Sequence, residues 1–388
     1  MVRRTVTGKP LRSRSTPKQD EIVSTLRGRI TSGKYARSHQ LPPQSRLARD
    51  FGVSTVTVQL ALSKLARQGF IQARRPHGTF VVDKPPHLSR YALVFWNDPT
   101  APHAHYFWSR YYAALSQEAM RLRRDGIDLE IFHGIDEHVD SDDRQRLISQ
   151  IESHRLAGLI FANYPYLNRG TPILDWPGLP RVAVTNETSL AGVRALSTDQ
   201  KMWFRKALDH VVAAGRRRVA ILSYGYGSPR HEDITEALTE HDLTTPDYWR
   251  QDVNVHSPGA ARNCAALLMY AGEKVRPDAL LILDDNLAED VLAGLLAAGV
   301  RVPQDVTVVA HANFPWPPTR ILPVKWLGYD IRQMLLTAMS LIDRERRGEP
   351  VPAKTVMPAL FEEEISVSGV TSSDVATTAP VAAGAAQV

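Results

Sequence analysis

Apolar residues recur with two different periods along this chain, and the change near residue 90 divides it. In the first part the period is helical. Thr16-Pro17-Lys18-Gln19 has the form of a capping box with proline at the first helical position, and Ile22, Leu26 and Ile30 then repeat on one face until Gly33. A second short helix is predicted from Gln44 to Asp50, burying Leu47, with Phe51-Gly52-Val53 turning into a third helix capped by Ser54. Val56, Leu60, Leu62 and Leu65 are expected to form the core face of that third helix. Gly69 ends it, and two short strands, Phe70 to Ala73 and Thr79 to Val82, are predicted around the tip Arg74-Arg75-Pro76-His77-Gly78. Three helices followed by a hairpin predict a winged helix-turn-helix.

From Tyr91 onward short apolar runs alternate with amphipathic helices. Tyr91 to Trp96, Asp128 to Phe132, Ala157 to Phe161, Arg181 to Val184, Arg218 to Ser223, Ala279 to Leu283 and Val306 to Ala310 read as strands. Ser109 to Arg124, Gln200 to Ala214 and Leu287 to Ala298 read as helices between them, the pattern of parallel sheets covered on both faces. The strands are too many for one compact sheet, so two α/β lobes are expected. The predicted class is α/β: an N-terminal winged helix-turn-helix plus a two-lobed sensor domain. The expected boundaries are a disordered basic tail over 1–15, a winged helix over 16–83, a linker over 84–89, the sensor over 90–367 and a disordered tail over 368–388. The paired prolines Pro85-Pro86 predict an extended, fairly stiff connector.

Charge follows the same division. Residues 1–90 hold 18 Lys or Arg against 4 Asp or Glu, while the remaining residues hold 29 against 37. A small basic unit ahead of a larger acidic one points to a polyanion partner for the first part only, since Lys and Arg displace counterions condensed on phosphates. Cys264 is the single cysteine, so a disulfide framework or thiolate metal site is not expected, and it reads as a packing residue in an apolar helical run. Arg3 and Arg4 are not followed by an apolar segment and no later stretch has the uninterrupted apolar length of a membrane span, which predicts a cytoplasmic protein with no membrane partner.

A helix-turn-helix places the N-terminal part of its second helix in the major groove, where base edges carry a distinguishable donor and acceptor pattern. Here that part is Ser54 to Gln59, with Thr55, Thr57 and Gln59 expected to face outward and Val56 and Leu60 inward. Gln59 can pair bidentately with adenine, and a threonine methyl can pack on thymine. Arg46, Arg67, Arg74 and Arg75 are expected to anchor phosphates. Leu41-Pro42, Leu47-Ala48, Phe51-Gly52-Val53-Ser54, Ala61-Leu62, Leu65, Gly69-Phe70-Ile71 and Gly78-Thr79-Phe80-Val81 together resemble the winged helix of the GntR family. The resemblance implies that His77 and Gly78 form the wing tip that enters the minor groove. Where that family usually carries arginines, this chain has Ser45, Thr55 and Gln59, which implies a less guanine-centred operator or more reliance on Arg46 for phosphate contact.

Sensing a small polar ligand requires a cleft at the C-terminal ends of strands, with hydrogen-bonding side chains and an aromatic platform. Tyr106 and Phe107 after the first strand, Asn163 and Tyr164 after the third, Asn186, Arg230, Asp284 and Asn313 stand in such places. Pro277-Asp278-Ala279-Leu280, Asp284-Asp285, Gly299, Val302-Pro303 and Asp305-Val306, with Leu327-Gly328-Tyr329-Asp330 before a long helix, resemble the effector domain of the LacI family, which is similar to periplasmic sugar-binding proteins. The combination with a GntR-like reader is similar to the arabinose-repressor-like subgroup. That resemblance implies a sugar effector between two lobes, with Arg230 holding its hydroxyls, Asp284 accepting from them and Tyr106 or Phe107 stacking on its apolar face. The chain departs from the family at Val309-Ala310-His311-Ala312-Asn313, where an aspartate is usual, and at Asp233, where glycine is usual. The alternative roles are helix capping for Asp284-Asp285, a surface position for Arg230 and packing for Tyr106 to Trp108.

No catalytic constellation is expected. His103 with His105, and His133 with His138, lack a carboxylate at helical metal-ligand spacing, and neither a Gly-x-Ser-x-Gly elbow nor a phosphate-binding glycine loop occurs. The expectation is therefore a repressor without enzymatic activity, catalytic residues, metal or cofactor, binding a double-stranded DNA operator and a small-molecule effector as a homodimer. The competing reading is a sugar-binding or sugar-modifying protein with an accessory DNA module.

Overall fold

The computed structural model describes residues 17–74, 76–99, 110–136, 140–224, 231–243, 245–254, 257, 259–270 and 275–368. Thr16, Arg75, His103, Tyr106, Phe107, His138 and Arg230 lie outside them, as do the tail over 1–15 and all but the first residue of the expected C-terminal tail.

The first unit opens with α1 (Pro17–Thr31), α2 (Gln44–Phe51), α3 (Thr55–Arg67) and the antiparallel strands β1 (Ile71–Arg74) and β2 (Gly78–Val81). Ile22, Leu26 and Ile30 of α1 are buried against Leu47 of α2, Val58, Leu62 and Leu65 of α3, Phe70 and Val81. Gly52 closes α2 at φ +62°, a left-handed conformation, and returns its N–H to Ala48 and Arg49 carbonyls. Ser54 then caps α3 by accepting from the Thr57 N–H at 3.1 Å. At the wing, Gln40 pairs with Phe80 and its amide donates to the His77 carbonyl at 2.6 Å.

Two expectations fail here. The core side of α3 is Val58, Ala61, Leu62 and Leu65, whereas Val56 and Leu60 are 62% and 52% exposed. At 100° per residue, a helix that buries 58, 61, 62 and 65 must turn 56 and 60 outward. The connector also differs from an extended strap: Pro86–Ser89 form one helical turn, α4, with Pro86 at the start, where the missing N–H costs nothing. The Ser89 hydroxyl donates to the Pro85 carbonyl at 3.1 Å, and the His87 ring stacks on Phe70 with centroids 5.9 Å apart.

The sensor forms two α/β lobes. The first contains β3 (Arg90–Val94), α5 (Arg110–Arg124), β4 (Asp128–Phe132), α6 (Asp142–Glu152), β5 (Gly158–Phe161), α7 (Pro172–Asp175), β6 (Arg181–Val184) and β7 (Arg194–Thr198). The second contains α8 (Gln200–Ala213), β8 (Val219–Ser223), α9 (His231–Glu240), β9 (Arg250–Asp252), α10 (Ala260–Met269), β10 (Ala279–Ile282), α11 (Asp285–Ala297), β11 (Thr307–Phe314) and β12 (Lys325–Asp330). Then α12 (Ile331–Arg346) leads back to the first lobe, β13 (Lys354–Met357) extends that lobe's sheet, and β14 (Leu360–Phe361) and α13 (Glu362–Ser368) complete the second. The sheet orders are β13-β7-β6-β5-β3-β4 and β14-β12-β11-β10-β8-β9, with β3 to β7 and β8 to β12 pairing in parallel. Parallel strands need crossover helices, which is why the amphipathic segments alternate with the strands.

Each lobe has its own core, Ala92, Val94, Phe132, Leu159 and Phe161 in the first and Leu222, Leu280, Ile282, Val308 and Phe314 in the second. Cys264 is half-buried against the second core, and burial pushes its thiol pKa up. Among the described residues no helix is long and apolar enough to cross a membrane.

Candidate functional site

The exposed face of the winged helix carries Ser45, Arg46 and Arg49 on α2, and Ser54, Thr55, Val56, Gln59, Leu60, Ser63 and Arg67 at or along α3. Thr57 is half-buried instead, its hydroxyl 2.9 Å from the Ser54 hydroxyl, so these two side chains fix the start of the helix. Neither α2 nor α3 has an acidic residue in its first turn, and their last turns carry Arg49, Lys64 and Arg67. Arg46 lies 4.0 Å from Asp50 and Lys64 lies 2.8 Å from Asp20, both solvent-facing pairs that a phosphate can compete for.

On the wing, Arg74 lies over the Phe80 ring at 5.3 Å and faces Asp83 at 3.9 Å, which orients its guanidinium beside the tip. His77 is exposed, and Gly78 adopts φ +111°, where an added Cβ would stand 2.9 Å from the Gln40 amide nitrogen. Glycine is therefore required at that position for the turn itself.

In the first lobe a cavity of about 180 Å³ opens at the C-terminal ends of β3, β4 and β5. Trp96, Phe161, Asn163, Tyr164, Tyr166 and Asn168 contribute to its wall. Tyr164 and Tyr166 stack with centroids 6.0 Å apart, and the Tyr164 hydroxyl sits 2.6 Å from that of Ser189 in the loop after β6. Asn163 thus lines the cavity, while Asn186 is an exposed member of the adjoining loop. Asn168, which sequence reasoning missed, is 3% exposed; its amide nitrogen donates to the Ile135 carbonyl at 3.3 Å and its side-chain oxygen has no hydrogen-bond partner. Tyr164 to Asn168 follow β5, and the spacing of Tyr164 and Tyr166 marks the aromatic wall but not Asn168.

Among the described residues of the second lobe, the predicted Asp284 and Asn313 both have partners within the lobe. Asp284 caps α11, accepting from the Asn286 N–H at 2.8 Å, the capping alternative raised above. The Asn313 amide donates to the buried Asp285 carboxylate at 2.8 Å. His311 stands between Trp203 and Tyr329, at 6.5 and 5.6 Å between ring centroids. Burial lowers its pKa, opposed by the Asp284 charge and by a hydrogen bond with Asn313. Burial likewise raises the Tyr329 pKa. No arrangement of nucleophile, base and charge acceptor emerges from these contacts.

The chain matches known proteins in the same two parts. Bacterial regulatory proteins of the gntR family match residues 18–81, and the periplasmic binding protein-like domain matches residues 208–362. The uncharacterized HTH-type transcriptional regulator YkvZ of Bacillus subtilis is 21% identical over 220 residues, 55% of this chain and 65% of that protein. The HTH-type regulator RB1450 of Rhizobium meliloti is 36% identical over 64 residues, 16% of this chain and 26% of that protein. The chain thus spans less than two thirds of the length of either. Among solved structures, a LacI family transcriptional regulator from Lactobacillus casei with bound glucose is similar with a TM-score of 0.51 at 23% identity, over 71% of this chain and 98% of that one. At that identity the likeness establishes the fold. The chain therefore joins a helix-turn-helix domain of the gntR family of bacterial regulatory proteins to a periplasmic binding protein-like domain with the two-lobed fold of LacI-family regulators.

Proposed function

We propose that this protein is a cytoplasmic transcription regulator, a repressor by default, that binds an operator through its winged helix and releases it when a small ligand, a sugar in the first instance, occupies the sensor. The observation that carries the reading is the capped helix α3, which presents an exposed, acid-free face between cationic neighbours in a basic domain. Thr55 and Gln59 would meet base edges, Ser54 and Thr57 would hold the helix start, and the exposed Ser45 beside Arg46 on α2 would face the DNA. Arg46, Arg67, Arg74 and Arg75 would meet phosphates, and His77 and Gly78 would form the wing tip in the minor groove.

The ligand's seat in this reading is the first-lobe cavity. Aromatic walls from Trp96, Tyr164 and Tyr166 suit the apolar face of a pyranose, and Asn163 and Asn168 supply amides for its hydroxyls. The unpartnered Asn168 oxygen favours a donor arriving from a ligand. Binding that distinguishes the DNA-competent from the DNA-incompetent state couples the two sites, typically by about 1–3 kcal/mol. Dimerisation fits this reading because one small winged helix covers little DNA, and paired half-sites raise affinity and specificity together.

The test has two arms. Enrichment of duplexes from a random library should yield a defined operator, and a thermal-shift screen of pentoses, hexoses and uronates should find a sugar that raises the melting temperature. A sugar that binds without changing operator affinity would remove the regulatory reading.

A further inference from the structure

Val56 and Leu60 are the two large apolar side chains of the winged helix that stand most exposed, at 62% and 52%. They lie one helical turn apart on α3, so their side chains are neighbours on its outer face. Gln59, Ser63 and Arg67 share that face, and Arg46 and Arg49 are exposed on the adjoining α2. The pair, with Arg67 on its own face and Arg46 and Arg49 exposed on the neighbouring helix, is not part of the domain's buried core. The cationic border selects against a second copy of the same face, because like charges would oppose each other, and selects for a polyanion.

Double-stranded DNA offers one apolar group in its major groove, the C5-methyl of thymine. We propose that Val56 and Leu60 are specificity-determining residues that read thymine methyl groups, so that the operator carries thymine opposite the first two turns of α3. The inference rests on the DNA-binding reading and adds to it. It accounts for the residue types around the pair: Gln59 suits the adenine partner of such a thymine, and Ser45, Thr55 and Gln59 leave this surface without arginines aimed at guanine.

The experiment uses the full chain and the duplex it enriches from a random library. Each thymine is replaced in turn by deoxyuridine, which removes the methyl group and leaves pairing intact. At least one replacement in the segment under α3 should weaken binding about fourfold, the effect of one buried methyl-sized group. In Val56→Ser or Leu60→Ser, both at exposed positions and so without cost to the core, that penalty should vanish. An operator without thymine, an unchanged affinity for every deoxyuridine duplex, or a penalty that persists in both variants would overturn the assignment while leaving DNA binding in place. Failure to enrich any duplex would remove the DNA-binding reading and this one together. Loss of self-association in the serine variants with unchanged thymine selectivity would assign the pair to contact between copies and overturn it as well.

Discussion

Arg346, in the last turn of α12, donates to the His87 carbonyl at 3.0 Å. The same guanidinium reaches Asp343 at 3.1 Å, and Asp343 also accepts from the Tyr91 hydroxyl at 2.8 Å. The His87 ring in turn stacks on Phe70, which belongs to the winged-helix core. A sensor helix, the connector and the DNA reader are thereby joined through hydrogen bonds and one ring stack.

Replacing Arg346 with Ala should therefore loosen the connector without unfolding either neighbour. Amide hydrogen exchange over 84–89 should speed up, and the change in operator affinity caused by a bound sugar should shrink from about 1–3 kcal/mol toward zero. Unaltered exchange and unaltered coupling would show that the contact transmits nothing.

The same junction should respond to pH. Burial first, then the charges of Arg346, His154 and Arg37, lowers the His87 pKa from 6.5 to about 4. A depressed value means that the docked connector holds neutral histidine while the released connector takes up a proton. Docking should be complete above pH 6.5 and be lost progressively as pH falls toward 4. Exchange over 84–89 measured between pH 7.5 and 5, corrected for intrinsic rates, should rise, and His87→Phe, which keeps the ring stack and cannot protonate, should abolish the rise.

Gly328 of β12 pairs with Ala312 of β11, and a Cβ added there would stand 1.7 Å from the Ala312 carbonyl oxygen. Gly328→Ala forces the two strands apart in the middle of the second lobe's sheet. Thermal or urea unfolding should show a loss of about 3 kcal/mol or more. A stability within about 0.5 kcal/mol of the parent would mean that the strands separate freely.

Asn163→Ala and Trp96→Ala should remove the sugar-dependent rise in melting temperature while operator affinity in the absence of sugar is kept. A retained rise in both variants would move the ligand elsewhere.

Much of this architecture was legible because it follows from periodicity. Ile22, Leu26 and Ile30 mark α1, and the Val, Ile and Leu runs at β3, β5, β8, β10 and β11 are buried on both faces, as parallel strands are. Strands β7, Arg194-Ala-Leu-Ser-Thr, and β13, Lys354-Thr-Val-Met, are hidden in the sequence because each holds only two apolar residues in a row. Val56 and Leu60 were misplaced by taking hydrophobic character as burial, although the spacing of Val58, Ala61, Leu62 and Leu65 already defined the buried face. In the sensor, Asn163 could be found as a polar residue after a strand. Asn168 could not, because it is brought to the cavity by the turn Tyr166–Asn168 and a contact with Ile135, distant in sequence. Whether Asp284 and Asn313 would face a ligand or their own helix was equally hidden, since Asn286 and Asp285 supply partners that only the fold brings close.

If α3 and its cationic surroundings bind duplex DNA, that binding displaces counterions from phosphates. Fluorescence anisotropy of the full chain titrated into its enriched duplex, at salt concentrations from 50 to 200 mM, tests it most directly. Affinity should fall steeply and linearly on logarithmic axes, with a slope of about −0.9 per neutralised phosphate, and Arg67→Ala should make that slope shallower by about one unit. Absence of binding at low salt, or binding indifferent to salt, would contradict it.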